Sequence, residues 1–392
     1  MTAPVRALFV LHTAAPSGAE LAALRLMRAL AAQGTIQVEA AFSEDGPVLA
    51  RTREAGIRAE LLVGRFRSRA MTIRTRNVLR FATGLVHLVR LGWHLGALAR
   101  RTGASVLVAE STKALLMAAV ASRRARVPLV WHVHDRVSRE YFGWLLATAV
   151  RALGWLSAAG YVANSRATLD QLVTWRRPAL VAHPGVEGIE PRPREPQRPP
   201  DRTVVAVVGR LTPWKGQDLF LQAAAGLRVR PARILLVGGT FFDEEPYRAE
   251  LERLAERLDL PVTFTGHVED PAEQMRRADV LVHCSVLAEP FGQVVVEGMA
   301  AGCAVIATGP GGPAEIVEPG VSGLLVDGGD RQQLTAALEQ LLGDRELRER
   351  LAHAGTVRAR RFTVADAARD VAAFLHQVVG TPAVRERARR VG

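Results

Sequence analysis

The chain has 392 residues, enough for two domains of ordinary size, and its 48% hydrophobic content supports full cores, which excludes a disordered chain. The net charge of +12 is uneven: residues 1–185 hold 25 Lys+Arg against 10 Asp+Glu, and residues 186–392 hold 26 against 29, so an anionic partner would meet the first half. Two cysteines, Cys284 and Cys303, lack metal or disulfide spacing, and the first ten residues lack the features of a signal peptide, so the expected compartment is a reducing cytoplasm.

Apolar runs and turn signals predict a strand over 5–11, a loop over 12–18 and an amphipathic helix over 19–33. The loop, Ala15-Pro16-Ser17-Gly18-Ala19-Glu20, is a ready anion site before a helix N-terminus. A basic stretch follows, with Arg65, Arg67, Arg69, Arg74, Arg76 and Arg80 ahead of an apolar helix over 81–98 that carries Trp93. It suits an anionic membrane surface or lipid-phosphate acceptor, or else a solvated arginine-rich face. Further strands are expected over 38–42, 105–108, 128–133 and 160–163. On the strand 128–133, His132 and His134 share a face, with His134 at the strand end beside Asp135. Residues 141–163 carry one charge, Arg151. The run is long enough to span a bilayer, but its arginine and glycines favour a buried helix followed by a strand.

Residues 191–201, Pro-Arg-Pro-Arg-Glu-Pro-Gln-Arg-Pro-Pro-Asp, read as a linker. Strand–helix alternation then restarts, with strands over 204–208, 234–237, 262–265, 280–284, 304–307 and 323–326. Helices are expected over 216–227, 247–258, 331–342, 345–352 and 364–378. This pattern predicts an α/β chain of two doubly wound, Rossmann-like domains facing across a cleft. Their bounds are 1–190 for the first domain and 202–362 for the second. Residues 363–392 are expected to pack back toward the first domain and end in a basic tail.

The chemistry concentrates at strand ends. Gly209-Arg210-Leu-Thr-Pro-Trp-Lys215-Gly216 places an arginine fork and one of only two lysines after the first strand of the second domain, where they suit a diphosphate. Glu289-Pro-Phe-Gly-Gln-Val-Val-Val-Glu297 brackets a turn and a helix start with two carboxylates that could grip polyol hydroxyls. Taken alone, it could equally be an ordinary turn and helix. Gly238-Gly239 and Gly266-His267-Val268 close strands where backbone could line a nucleotide pocket. The glycines at 309, 311 and 312 miss the dinucleotide fingerprint. No Asp-x-Asp, His/Cys metal spacing, Gly-x-Ser-x-Gly or phosphate-loop motif is present, so no metal or cofactor is expected, and a hydrolase or triphosphatase is disfavoured.

The chain resembles the retaining, nucleotide-sugar-dependent glycosyltransferases of family four, which share the GT-B fold. Gly209-Arg210, Lys215-Gly216, the two-glutamate motif with Gly-Met-Ala-Ala-Gly, Gly311-Gly312-Pro-Ala-Glu315 and Gly323-Leu-Leu-Val carry the likeness. The resemblance implies that Arg210 and Lys215 hold the donor diphosphate, Glu297 the ribose and Glu289 a sugar hydroxyl. Phe291 and Gly292 would offer backbone N–H groups, Gly18 would meet the diphosphate, and His134 the sugar near its anomeric carbon. The implied donor set is Gly18, Arg210, Lys215, Val268, Glu289, Phe291, Gly292, Gln293 and Glu297, with Glu289, His134, Arg210 and Lys215 at the chemistry. One departure is Ser17, where the family often has a glycine.

The expected reaction moves a hexose-type sugar from a UDP-sugar, preferred over a GDP-sugar, to an acceptor in envelope glycan, exopolysaccharide or glycolipid synthesis. A small secondary metabolite is the other acceptor class. A non-catalytic nucleotide-sugar-binding subunit and a nucleic-acid-binding protein are the competing readings. The 5% aromatic content argues against nucleic acid as a partner.

Overall fold

The computed structural model describes residues 4–62, 78–187, 198–199, 202–240 and 244–380. The chain divides into two units, Met1–Gly185 with Val364–Gly392, and Val186–Thr363. In the first unit the order is β1 (Val5–Leu11), α1 (Gly18–Gln33), β2 (Ile36–Phe42), α2 (Pro47–Glu54), β3 (Arg58–Leu61), α3 (Val78–Thr102), β4 (Val106–Ala109) and α4 (Thr112–Ala125). It continues through β5 (Leu129–Val133), α5 (Arg139–Phe142), α6 (Trp144–Ser157), β6 (Gly160–Ala163), α7 (Arg166–Leu169) and β7 (Ala179–Val181). The strands pair in parallel in the order β3-β2-β1-β4-β5-β6-β7.

The second unit runs β8 (Val204–Val208), a 3₁₀ turn (Pro213–Lys215), α8 (Gln217–Ala225), β9 (Arg233–Val237), α9 (Glu245–Arg257), β10 (Val262–Gly266), α10 (Pro271–Arg276) and β11 (Val280–Val282). It ends with α11 (Gln293–Ala300), β12 (Ala304–Gly309), α12 (Pro313–Ile316), β13 (Leu324–Asp327), α13 (Arg331–Gly343) and α14 (Arg345–Ala359). The last helix, α15 (Val364–Gly380), belongs to the first unit. The second sheet is also parallel, in the order β10-β9-β8-β11-β12-β13.

Period-two alternation along each central strand feeds two cores per sheet. Val5, Ala7, Phe9 and Leu11 join the core beneath α1 and α15, whereas Leu8 and Val10 join the core beneath α3, α4 and α6. In the second unit Val205 and Val207 face one core, and Ala206 and Val208 the other. Strand order reverses between β1 and β4, and again between β8 and β11. Such switch points open the crevice where doubly wound sheets bind ligands.

The 141–163 run folds as α6 followed by β6, but its helix is buried on one side only, which corrects the expectation of a buried helix. Arg151 turns inward and donates from Nε and Nη2 to the Val137 carbonyl at 3.1 and 2.6 Å, so its charge leaves the outer face. No helix among the described residues is long and apolar enough to cross a membrane. At the end of the proline-rich run, Arg198 is anchored in the second unit. Its Nη1 meets Asp279 at 3.2 Å, and its carbonyl accepts from the buried Arg348 at 2.7 Å.

The α3–α4 contact depends on Gly92, where an added Cβ would lie 2.6 Å from the Met117 carbonyl oxygen. Gly92→Ala is expected to cost about 1–3 kcal/mol, because the obstacle is backbone rather than a movable side chain. A chemical-denaturation midpoint equal to that of the parent would contradict this account of the helix contact.

Candidate active site

In the second unit, the chemistry gathers at the carboxyl edge of β8 and β11, the two strands of the switch point. Lys215 closes the 3₁₀ turn after β8, and its Nζ donates to both oxygens of Glu289, at 2.9 and 2.8 Å. Both side chains are largely buried, at 15% and 13% exposure. Glu289 Oε2 also accepts from the Ser285 hydroxyl at 2.9 Å and meets His283 Nε2 at 3.3 Å. The Thr308 backbone N–H donates to His283 Nδ1 at 3.3 Å, which makes Nδ1 the acceptor and leaves Nε2–H to face the carboxylate. Burial alone would raise the Glu289 pKa. The Lys215 charge, aided by the His283 bond, more than offsets it and holds the carboxyl well below the usual range.

Two close approaches fix this carboxylate. The Gly216 backbone adopts φ 70°, and a Cβ there would lie 2.2 Å from the Cys284 carbonyl oxygen, so the lysine turn sits directly on the segment leading to Glu289. Gly312 packs so closely beneath the Pro290–Phe291 turn that a Cβ would lie 2.3 Å from Phe291 Cα. The Gly312 N–H donates to the Glu289 carbonyl at 2.9 Å. The structure thus brings Lys215 and Glu289 together as a pair.

The second unit also carries the other expected donor residues except Gly18. Arg210 leaves the same β8 loop and meets Glu244 at 3.4 Å from Nε. Glu297, on α11, accepts from Gln293 one turn earlier at 2.7 Å. Phe291 is buried, with its ring 6.0 Å from that of Phe362, and Gly292 is the N-cap of α11 at φ 93°. Val268 follows β10 and packs, half-buried, against the core. His283, Ser285 and Thr308 were not read from the sequence. Their one signal was polar residues ending otherwise apolar strands.

In the first unit, Gly18 begins α1 and an added Cβ would meet nothing within 4 Å. Ser17, the departure from the family pattern, caps that helix and donates its hydroxyl to the buried Glu20 carboxylate. Burial raises the Glu20 pKa, partly offset by this bond. His134 follows β5, and its Nε2 lies 2.7 Å from Glu110 Oε2. His132 Nδ1 lies 3.1 Å from Glu110 Oε1. All three side chains are buried, and the two imidazole centroids are 4.2 Å apart. Burial would raise the Glu110 pKa, but the two histidines bring it down to about 2. Burial lowers the pKa of His134, yet the Glu110 bond and charge reverse this and raise it. For His132, burial prevails and the pKa falls.

The same three residues could share a metal ion, because their ligand atoms lie within 4.8 Å of one another. Linear spacing missed this grouping because Glu110 comes from β4 and the histidines from the neighbouring β5. The donors are already satisfied by hydrogen bonds at 2.7–3.1 Å, and these bonds account for the cluster without an ion. Arg65, Arg67, Arg69, Arg74, Arg76 and the Arg80 side chain lie outside the described residues.

Two parallel doubly wound units, each with its polar residues at a switch point, define the GT-B class. Residues 16–187 match the family described as Glycosyltransferase Family 4, and residues 189–358 match Glycosyl transferases group 1. The chain belongs to the family-four glycosyltransferases. It is 35% identical over 199 residues to a D-inositol 3-phosphate glycosyltransferase of Mycolicibacterium smegmatis, a match covering 47% of this chain and 45% of that protein. A protein of the same name from Corynebacterium urealyticum is 38% identical over 168 residues, covering 41% and 39%. The match thus spans less than half the length of these relatives. Anabaena Alr3699/HepE, solved with UDP-glucose, superposes with a TM-score of 0.80 at 26% identity over 95% of this chain and 99% of that one. A sucrose-phosphate synthase from Thermosynechococcus elongatus shares the fold, with a TM-score of 0.76 at 22% identity over 96% and 100%.

Glu289 carries a depressed pKa in the folded state, so its stabilising effect is present above the unfolded value of 4.5 and is lost as pH falls toward the folded value. Glu289→Gln, which leaves Lys215 without its counter-charge, is expected to lose on the order of 3 kcal/mol at neutral pH. The gap to the parent should narrow below about pH 4.5. Urea midpoints of both proteins across that range measure it, and a gap that widens on acidification would reverse the assigned sign.

Proposed function

We propose that the chain is a retaining glycosyltransferase that moves a hexose-type sugar from a UDP-sugar to an acceptor hydroxyl, with no metal required. The observation that carries this reading is the Lys215–Glu289 pair at the β8/β11 switch point, beside the Arg210 loop. A carboxylate held this far below its ordinary pKa stays ionised at neutral pH and accepts hydrogen bonds. That suits a grip on sugar hydroxyls and disqualifies Glu289 as the protonated acid that a hydrolase needs. Lys215 and Arg210 place two cations where negative charge develops on a departing diphosphate. The bond from the anomeric carbon to the diphosphate oxygen breaks, and the acceptor oxygen bonds to the same face. The acceptor proton passes to a diphosphate oxygen. Glu297, steadied by Gln293, serves the ribose.

Preference for uridine is supported by HepE, which was solved with UDP and with UDP-glucose. In the first unit, Glu110 occupies His134 Nε2, so the imidazole would meet a sugar hydroxyl through Nδ1. The basic surplus of residues 1–185 favours an acceptor that is anionic or held at an anionic surface, with lipid-linked or envelope glycan as the leading class. The second class is a small acceptor, which the names of the D-inositol 3-phosphate relatives favour.

Lys215→Ala and Glu289→Ala are each expected to lower transfer from a UDP-sugar by at least about 100-fold, the scale of losing one preorganised electrostatic contact. Circular dichroism should remain that of a folded protein. Folded variants that transfer sugar at the parent rate would sink this reading. Binding of UDP-sugar without transfer or hydrolysis by the parent would favour a non-catalytic subunit.

A further inference from the structure

The first unit wears an unusual outer layer on one of its two sides. Helices α3, α4 and α6 cover the same face of the sheet, with α4 between the other two. The middle helix is almost wholly covered, but its neighbours expose large apolar side chains. On α3 these are Leu85, Val86, Val89 and Trp93, and on α6 they are Trp144, Leu145 and Leu156, the last two at 66% and 61% exposure. Trp175, just beyond, is also exposed. Among the described residues, the opposite layer, of α1, α2 and α15, exposes none, and the second unit exposes four valines. Scattered apolar residues are ordinary, but this concentration in one layer is not.

The α6 face is also free of charge. Leu145, Thr148, Ala149, Ala152 and Leu156 recur with helical spacing, and all are exposed. A solvated helix of the same chain looks different: the exposed side of α9 carries Glu245, Glu250, Arg253, Glu256 and Arg257. Cations border the apolar layer. Arg100, Arg101, Arg123 and Arg126 lie at the ends of α3 and α4, and Arg124 stacks 3.9 Å above the Trp93 ring. Arg139, Arg176 and Arg177 are exposed around α6.

From this pattern we infer that the α3–α6 layer of the first unit docks on an anionic lipid bilayer, with α6 lying in the interface. Tryptophans at the margin of an apolar face and arginines beyond it match the boundary between acyl chains and anionic headgroups. A second copy of the chain is a poor occupant, because face-to-face pairing would oppose like arginine clusters. Spanning is excluded by length, since the 14 residues of α6 reach about 21 Å against roughly 30 Å of hydrocarbon. This face deepens the surface-held acceptor reading and rests on it only for purpose. Its exposure and charge stand apart from donor chemistry.

The test is co-sedimentation of the full chain with phosphatidylglycerol-containing vesicles against pure phosphatidylcholine, at low and high salt. Binding is expected only with the anionic lipid and weakened by salt. The triple variant Trp144→Ser, Leu145→Ser, Leu156→Ser should bind at least about tenfold more weakly, as loss of buried apolar area requires. UDP binding should match that of the parent, which shows the variant folded. Equal vesicle binding by parent and variant overturns the assignment of this face. So does a parent dimer in solution that the variant abolishes. Loss of transfer with vesicle binding intact would count against the proposed reaction alone.

Discussion

The second unit is organised around one largely buried ion pair. Removing a carboxylate from water is costly, and Glu289 tolerates it because Lys215, Ser285 and His283 converge on its two oxygens. Those partners come from the ends of β8 and β11 and the loop after β11, so the pair exists only when both strands are in register. The backbone contacts of Gly216 and Gly312 draw the lysine turn, the Glu289 turn and the segment after β12 into one packed block. In the proposed reaction, a donor would meet an ionised acceptor and a positioned ammonium without having to organise either.

The first unit solves a similar problem with other side chains. Glu110, at the end of β4, is deeper than Glu289 and takes two imidazoles instead of an ammonium. One carboxylate can accept from both rings. His134 gains enough from the bond and charge to overcome burial, while His132 does not. Glu110 therefore holds His134 in one orientation at the strand end. Both units put a buried carboxylate at the switch point, where neighbouring strands diverge and leave room for polar side chains.

Most of the architecture was legible because parallel strands buried on both faces read as plain apolar runs. β1, β6 and β8 lie where such runs predicted them. The short edge strands β3 and β7 were missed, since Arg-Ala-Glu-Leu and Ala-Leu-Val are too brief and too exposed to carry a pattern. Within the site, Arg210, Lys215, Glu289 and Glu297 were visible as motif residues. Their mutual pairing was not, because 74 residues separate Lys215 from Glu289 and only strand order makes them neighbours. Glu110 was invisible for the same reason: it lies 24 residues before His134 and closes an apolar strand like any other turn residue.

The run at 141–163 shows where linear reading reaches its limit. Hydrophobic content alone cannot distinguish a spanning helix, a core helix and a helix lying on an interface. What separates them is the direction of each residue, and this depends on which side the sheet covers. In α6 the sheet takes Ala147, Val150 and Gly154, with the Trp131 ring so close to Gly154 that a Cβ would lie 2.7 Å away. Arg151 is drawn inward by the Val137 carbonyl. The charge that argued against a membrane in the sequence is thus removed from the outer face by folding. The apolar residues that argued for a core are left on that face. Arg124 and the exposed Trp93 ring that it covers become parts of one surface only after the helix layer has formed.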